Sequence, residues 1–186
     1  KEITPKNILE KVNTPKDSLL YSKAMESAIT LVKNNDEILP LSTNKKYLHV
    51  SFGKNNNSEY LTNKMDLYVD VERFESDNYS SIYNKTDYDA VIISYHGSSS
   101  SPYASNIIPD DIVAKIDNIS KSNNVILNLF LNPYSLNSFE SINNFESIII
   151  SYQNNMISQE ISADLMFGVR SFKGKIPVSN NFFNIN

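Results

Sequence analysis

DAVIISY (Asp89–Tyr95), NVILNLF (Asn124–Phe130) and SIIISY (Ser147–Tyr152) decide the fold: each is a short, almost continuously apolar run rich in Ile, Val and aromatic side chains. A strand wetted on one face alternates polar and apolar residues, whereas an unbroken apolar run marks a strand covered on both faces, as in parallel sheets. Two further runs precede them, KYLHVSF (Lys46–Phe52) and DLYVDV (Asp66–Val71). The intervals are long enough for crossover helices, expected near Ser58–Lys64, Tyr79–Lys85, Asp110–Lys121, Ser135–Asn143 and Ile157–Phe167. Strand and helix in alternation predict an α/β fold: a doubly wound, mainly parallel sheet of five to six strands flanked by helices, a flavodoxin-like three-layer sandwich with right-handed crossovers.

Upstream of the strands, Thr4-Pro5 and Thr14-Pro15 punctuate a polar stretch, so residues 1–17 read as a linker or lead-in and residues 18–186 as one domain. Asp17 or Ser18 is placed to cap a first helix, with Leu20, Ala24, Ala28, Leu31 and Val32 on one face, running to about Lys33. NNDEILPL then stops it, Asn34 taking the left-handed C-terminal position and Pro40 preventing a restart.

A chain of 186 residues suits a single core, and 40% hydrophobic with 11% aromatic residues can cover both faces of a sheet. Only 4 glycines argue against a fold rich in positive-φ turns. With 17 basic against 21 acidic residues, a net charge of -4 and no basic stripe, nucleic acid is not an expected partner. The absence of cysteine excludes disulfides, thiolate catalysis and thiolate metal sites, and leaves the redox compartment open. No apolar run approaches the roughly 20 residues that span a bilayer. The first residues have neither a signal-type apolar segment nor an initiator Met, so the chain reads as a piece of a longer or processed polypeptide.

In doubly wound sheets, ligands sit beyond the carboxyl ends of the strands. Here those ends read Gly53-Lys54, His96-Gly97 with a serine-rich loop, Asn132-Pro133 followed by Tyr134, and Gln153-Asn154-Asn155. Every α/β domain turns from strand to helix with such residues, so a turn role stands beside a functional one. His96 opens SYHGSSSSPYASNIIPDD, the longest irregular segment, whereas His49 sits inside a strand where a half-buried structural role is expected. The serines after His96 form no G-x-S-x-G elbow. Asp110-Asp111 follows Pro109 and is accounted for by helix capping and the helix dipole. No His or carboxylate set has metal-ligand spacing, and neither G-x-G-x-x-G nor a Walker loop occurs, so no metal and no cofactor is implied.

AMESAITLVKNNDEILPL (Ala24–Leu41) resembles the entry to the C-terminal α/β sandwich domain of family 3 glycoside hydrolases, where A-x-x-S-I-T-L-L-K-N leads to I-L-P-L. YDAVIISYHGS, VILNLFLNPYSL, IIISYQNNMISQEISADLMFG and GKIPVS (Gly174–Ser179) resemble later segments of that domain in the same order, so the likeness runs from about Ser18 to Asn181. Within the family it resembles most the β-N-acetylglucosaminidase-type members. The resemblance implies a retaining β-glycosidase whose nucleophile lies on a preceding (β/α)8 barrel, the partner of this domain, with carbohydrate as substrate. It implies no catalytic residue here, since K-H-F-P-G-H-G and S-D-W type segments are absent. His96, Asn132, Tyr134, Gln153 and Asn154, at strand exits, are the residues expected to meet the barrel or the edge of a sugar site. A family acid/base carboxylate from the sandwich is in doubt, because Gly97–Pro109 carries none. The family analogy also points to a periplasmic or secreted parent. A free-standing binding module that has kept the fold without the barrel is the alternative.

Overall fold

The computed structural model describes residues 14–53, 58–83, 87–97, 107–179 and 181–182. Five strands, β2 (Tyr47–Phe52), β3 (Val71–Arg73), β4 (Ala90–His96), β5 (Val125–Phe130) and β6 (Ser147–Ile150), pair in parallel. A sixth, β1 (Thr30–Asn34), covers the β6 edge antiparallel, with Thr30 opposite Ile150. The spatial order β1-β6-β5-β4-β2-β3 places the switch point between β2 and β4. Among the described residues, four helices flank the sheet: α1 (Pro15–Ala28), α2 (Glu59–Met65), α3 (Asp110–Ser120) and α4 (Met156–Met166). The expected α/β sandwich is therefore what the chain forms.

Strand side chains alternate between two apolar layers. Leu48, Val50, Val91, Ile93, Leu127 and Ile148 meet Ile116 and Ile119 of α3 on one face. Tyr47, Ile92, Ile126, Phe130 and Ile149 meet Met25 of α1, Leu61 and Met65 of α2 and Ile161 and Leu165 of α4 on the other. With both faces covered, the continuous apolar runs have their physical reason.

Several local expectations give way to tertiary context. The first helix stops at Ala28, and Thr30–Asn34 is a strand, not the last turn and a half of that helix. ITLV satisfies helical and strand periodicity equally, and the open edge of β6 decides between them. Thr14, not Asp17 or Ser18, caps α1, and the Asp17 carboxylate accepts from the Thr14 amide at 3.0 Å. Leu20 is 67% exposed and Ala24 is exposed, so the expected helix face is not the buried one; Met25 is the buried residue of α1.

Asn34 is extended, and Asp36 and Glu37 adopt the left-handed conformation instead. The Asn34 side chain clamps both backbone groups of Leu39 at 3.1 Å. DLYVDV is mostly turn, and β3 holds only Val71–Arg73. The helices expected at Tyr79–Lys85 and Ser135–Asn143 are short 3₁₀ turns, Tyr79–Ser81 and Pro133–Ser138; residues 84–86 lie outside the described set. Pro109 occupies the cap position of α3 without a side-chain bond, leaving Asp110 and Asp111 in the first turn as dipole partners.

A polar clamp fastens the layer that holds α1, α2 and α4. Asp164 of α4 is 5% exposed and accepts from the Tyr68 hydroxyl, Arg170 Nε at 2.9 Å and Lys64 Nζ at 3.2 Å. Burial alone would raise its carboxyl, but these donors outweigh burial and hold it below the usual carboxylate range. Arg170 also reaches Glu26 of α1, which Lys173 meets at 3.0 Å. Asp164→Ala should therefore cost about 2 kcal/mol, below the 3–5 typical of fully buried pairs because Lys64 and Arg170 keep some solvent contact; urea unfolding at neutral pH that shows no loss would contradict the clamp.

Gly53, directly after β2, has φ +121, and a Cβ there would lie 2.2 Å from the His96 carbonyl oxygen. Backbone meets backbone at the switch point, so no side-chain adjustment can relieve a substitution. Gly53→Ala is expected to destabilise by more than about 1 kcal/mol, read as a lowered midpoint in the same unfolding titration.

Candidate functional site

The sheet has two ends with different chemistry. At the amino ends of the strands a cleft of about 320 Å³ is lined by Asp36, Glu37, Asp89, Glu146 and Lys45 among others. Asp36, Glu37 and Asp89 are exposed, and the Asp89 carboxylate already accepts the Lys46 amide at 2.8 Å. At the carboxyl side, a cleft of about 280 Å³ beside β2 and β3 is lined by His49, Ser51, Thr62, Arg73 and Tyr79 among others.

Between the sheet and α2/α4 runs a chain of buried polar side chains. His49 Nε2 and His96 Nε2 each lie 2.8 Å from Ser94 Oγ, and His96 Nδ1 lies 2.9 Å from Asn154 Oδ1. Asn154 Oδ1 also accepts from Gln159 Nε2 at 2.8 Å, and Gln159 Oε1 accepts the Leu61 amide at 3.0 Å. Strand register brings these groups together: Ser51 pairs with Ser94 and His49 with Ile92, so His49, Ser94 and His96 project from the same face of adjacent strands.

The direction of every bond follows from its last member. A backbone N–H can only donate, so Gln159 Oε1 is the acceptor and Nε2 the donor. Asn154 therefore presents its oxygen, and His96 must carry its proton on Nδ1. Neutral His96 then accepts at Nε2 from the Ser94 hydroxyl, and His49 donates its Nε2 proton to Ser94 Oγ. Burial holds both rings neutral, lowering His49 to about 3, with His96 and Arg73 also disfavouring its charge, and lowering His96 to about 4, where the Asn154 bond opposes the drop. His96 also stacks on Phe130, ring centroids 4.7 Å apart.

Ser94, His96 and Asn154 stand in the order of nucleophile, base and orienting group. Ser94 and His96 are both 0% exposed, so no substrate carbonyl reaches the hydroxyl and the set cannot perform acyl transfer in this conformation. A second buried set, Asn128, Ser151 and Ser162, closes a hydrogen-bonded ring of 2.7 to 3.1 Å beside it. Among the described residues, no group of three His, Asp or Glu is placed to hold a metal ion, and no helix is long and apolar enough to cross a membrane.

The residues singled out from sequence divide accordingly. His96 and Asn154 are bonded directly, His96 being internal and not at a surface. Gln153 is exposed and accepts from the Tyr21 hydroxyl and from Asn155 Nδ2 at 3.2 Å. Asn132 accepts the Tyr134 amide at 3.0 Å and so caps the 3₁₀ turn at Pro133–Ser138, while Tyr134 is 48% exposed. Asn132 and Tyr134 belong to the neighbouring strand exit, outside the histidine chain. His49 is 3% exposed, more buried than its strand position suggested. Ser94, Gln159 and Tyr21 join the site only through the tertiary structure, although Ser94 and His96 at i and i+2 share a strand face, a pattern visible in the residues. Residues 98–106 of the serine-rich loop lie outside the described set.

Neither a family model nor a curated protein matches the sequence. Solved structures do match its fold. The β-glucoside phosphorylase BglX is similar at 20% identity and TM-score 0.73, over 95% of this chain and 34% of that one. A glycoside hydrolase family 3 β-N-acetylglucosaminidase from Paenibacillus sp. str. FPU-7 is similar at 17% identity and TM-score 0.67, over 89% and 33% respectively. A fungal multi-domain family 3 β-N-acetylglucosaminidase is similar at 16% and 0.69, over 96% of this chain and 20% of that one.

The two histidines make stability depend on acid. Burial lowers the folded His49 to about 3 and His96 to about 4, from the ordinary 6.5 that both keep in the unfolded chain. Their contribution is whole above pH 6.5 and is lost as pH falls toward 4, because the unfolded chain binds protons first. Urea unfolding should show on the order of 2–4 kcal/mol lost between pH 7 and pH 5, and a flat profile across that window would contradict the neutral buried pair. The chain thus spans about a third or less of the solved structures it matches, and it shares with that part of family 3 glycoside hydrolases their α/β sandwich fold.

Proposed function

We propose that this chain is the accessory C-terminal α/β sandwich domain of a retaining β-glycosidase, docked through the carboxyl edge of its sheet on a (β/α)8 barrel that carries the chemistry. The observation that carries this reading is coverage: a sandwich complete in itself corresponds to only 34% of BglX and 33% of the Paenibacillus enzyme. The sugar we propose is β-linked N-acetylglucosamine, supported by the sequence resemblance and by the two β-N-acetylglucosaminidases among the fold neighbours, which also include β-glucosidases.

The chemistry of the clefts agrees with a non-catalytic role. Glycoside hydrolysis uses two carboxyl groups about 5–9.5 Å apart, one of them kept protonated by an apolar setting. Of the carboxylates in the amino-edge cleft, Asp36, Glu37 and Asp89 are exposed and Glu146 is half-buried. On the carboxyl edge, exposed Tyr134, Gln153 and Met156 offer the mixed aromatic and polar surface of an interdomain contact.

Aryl β-N-acetylglucosaminide and aryl β-glucoside test the proposal. This chain alone should leave both intact, whereas the polypeptide extended upstream to include a barrel should hydrolyse the first. Turnover by the chain alone at a rate near that of the longer form overturns the proposal. An upstream reading frame that encodes no barrel favours the free-standing binding module instead.

A further inference from the structure

We infer that His49, Ser94 and His96 form a proton conduit, which takes a proton from the wall of the carboxyl-side cleft and deposits it as a charge on His96 beneath the Gln153–Asn155 turn. The geometry is that of a relay. Three groups that can each accept and donate stand 2.8 Å apart in series, with all their bond directions set from one end by the Leu61 amide. The entry is His49, the member that lines the cleft; Ser94 and His96 are sealed from solvent.

The transfer balances without any side chain moving. A solvent proton binds His49 at Nδ1. The Nε2 proton of His49 passes to Ser94 Oγ, and the proton of Ser94 passes to His96 Nε2. His49 is left neutral with its proton on Nδ1, and His96 becomes an imidazolium that donates from Nδ1 to Asn154 and from Nε2 to Ser94. That end is favoured for two reasons. Arg73 and His96 both oppose a charge on His49, while the Asn154 oxygen supports one on His96. The bond to Asn154 then becomes charge-assisted and stronger, so acid tightens the turn at the sheet's carboxyl edge.

Around the relay, the cleft that His49 lines also carries Ser51, Ser58 and the carboxylates Glu75 and Asp77. From α4 the relay faces Gln159, with Asp164 engaged by Tyr68, Arg170 and Lys64; from α2 it faces Thr62, with Lys64 turned to Asp164. From β5 it faces Phe130 and Asn128, and from β3 Arg73, which is paired with Asp66. The inference does not depend on the glycosidase reading.

The chain contains only 2 histidines, so long-range ¹H–¹⁵N spectra of the labelled 186-residue protein resolve both rings directly. At pH 7 His49 should carry its proton on Nε2 and His96 on Nδ1. The Asn154→Asp variant, which sets a carboxylate against His96 Nδ1, should raise the His96 midpoint by about one to three units, and His49 should change to its Nδ1 tautomer at the same pH. In Asn154→Asp with Ser94→Ala, His96 should still charge while the His49 tautomer no longer follows it. His96 protonated on Nε2 at pH 7 overturns the inference, as does His49 charging before His96, or a His49 tautomer indifferent to the charge on His96 in the single variant. Should either variant fail to fold, the pair of tautomers in the unaltered chain at pH 7 decides.

Discussion

A backbone amide has one proton to give and nothing to accept with, and the Leu61 N–H spends that proton on Gln159. From this one-sided constraint the orientation of two side-chain amides, the tautomers of both histidines and the rotor of a buried serine all follow. The helix that owns the amide has no side-chain cap of its own at Ser58. Its first turn is satisfied by a neighbouring helix, so α2, α4, β2 and β4 are tied by one hydrogen-bonded chain. Replacing a member deprives its buried neighbour of that bond, which costs more than the bond itself contributes.

Charge is handled by the same economy elsewhere in that layer. Asp164 is as buried as many apolar residues and is tolerable only because three donors from α2, the following turn and the closing segment converge on it. Through Arg170 the network continues to Glu26, which is how α1, with a single buried side chain, is held against the body. The opposite face of the sheet needs nothing comparable, since α3 meets it with Ile116 and Ile119. The sandwich therefore has one layer held by apolar contacts alone and one in which a directionally bonded polar network joins them, and the histidine chain and the Asp164 clamp both lie in the second.

For function, this asymmetry separates what is internal from what can meet another molecule. Ser94 and His96 are inaccessible to a substrate, whereas Tyr134 and Gln153 at the carboxyl edge are exposed.

Three unbroken apolar runs marked strands covered on both faces, and their alternation with helix-length intervals made the parallel sheet legible. Strand exits and their polar residues were legible for the same reason. The course of ITLV was not: its periodicity serves helix or strand, and the unpaired edge of β6, distant in sequence, chose strand. Nor could the residues tell that His96 points inward to Ser94 and Asn154, since that depends on register between β2 and β4 and on where α4 begins. Composition and pattern determined which elements form and which faces they bury; only the tertiary structure decided which polar groups meet, because hydrogen bonds demand atomic placement within a few tenths of an ångström while burial demands only the right side.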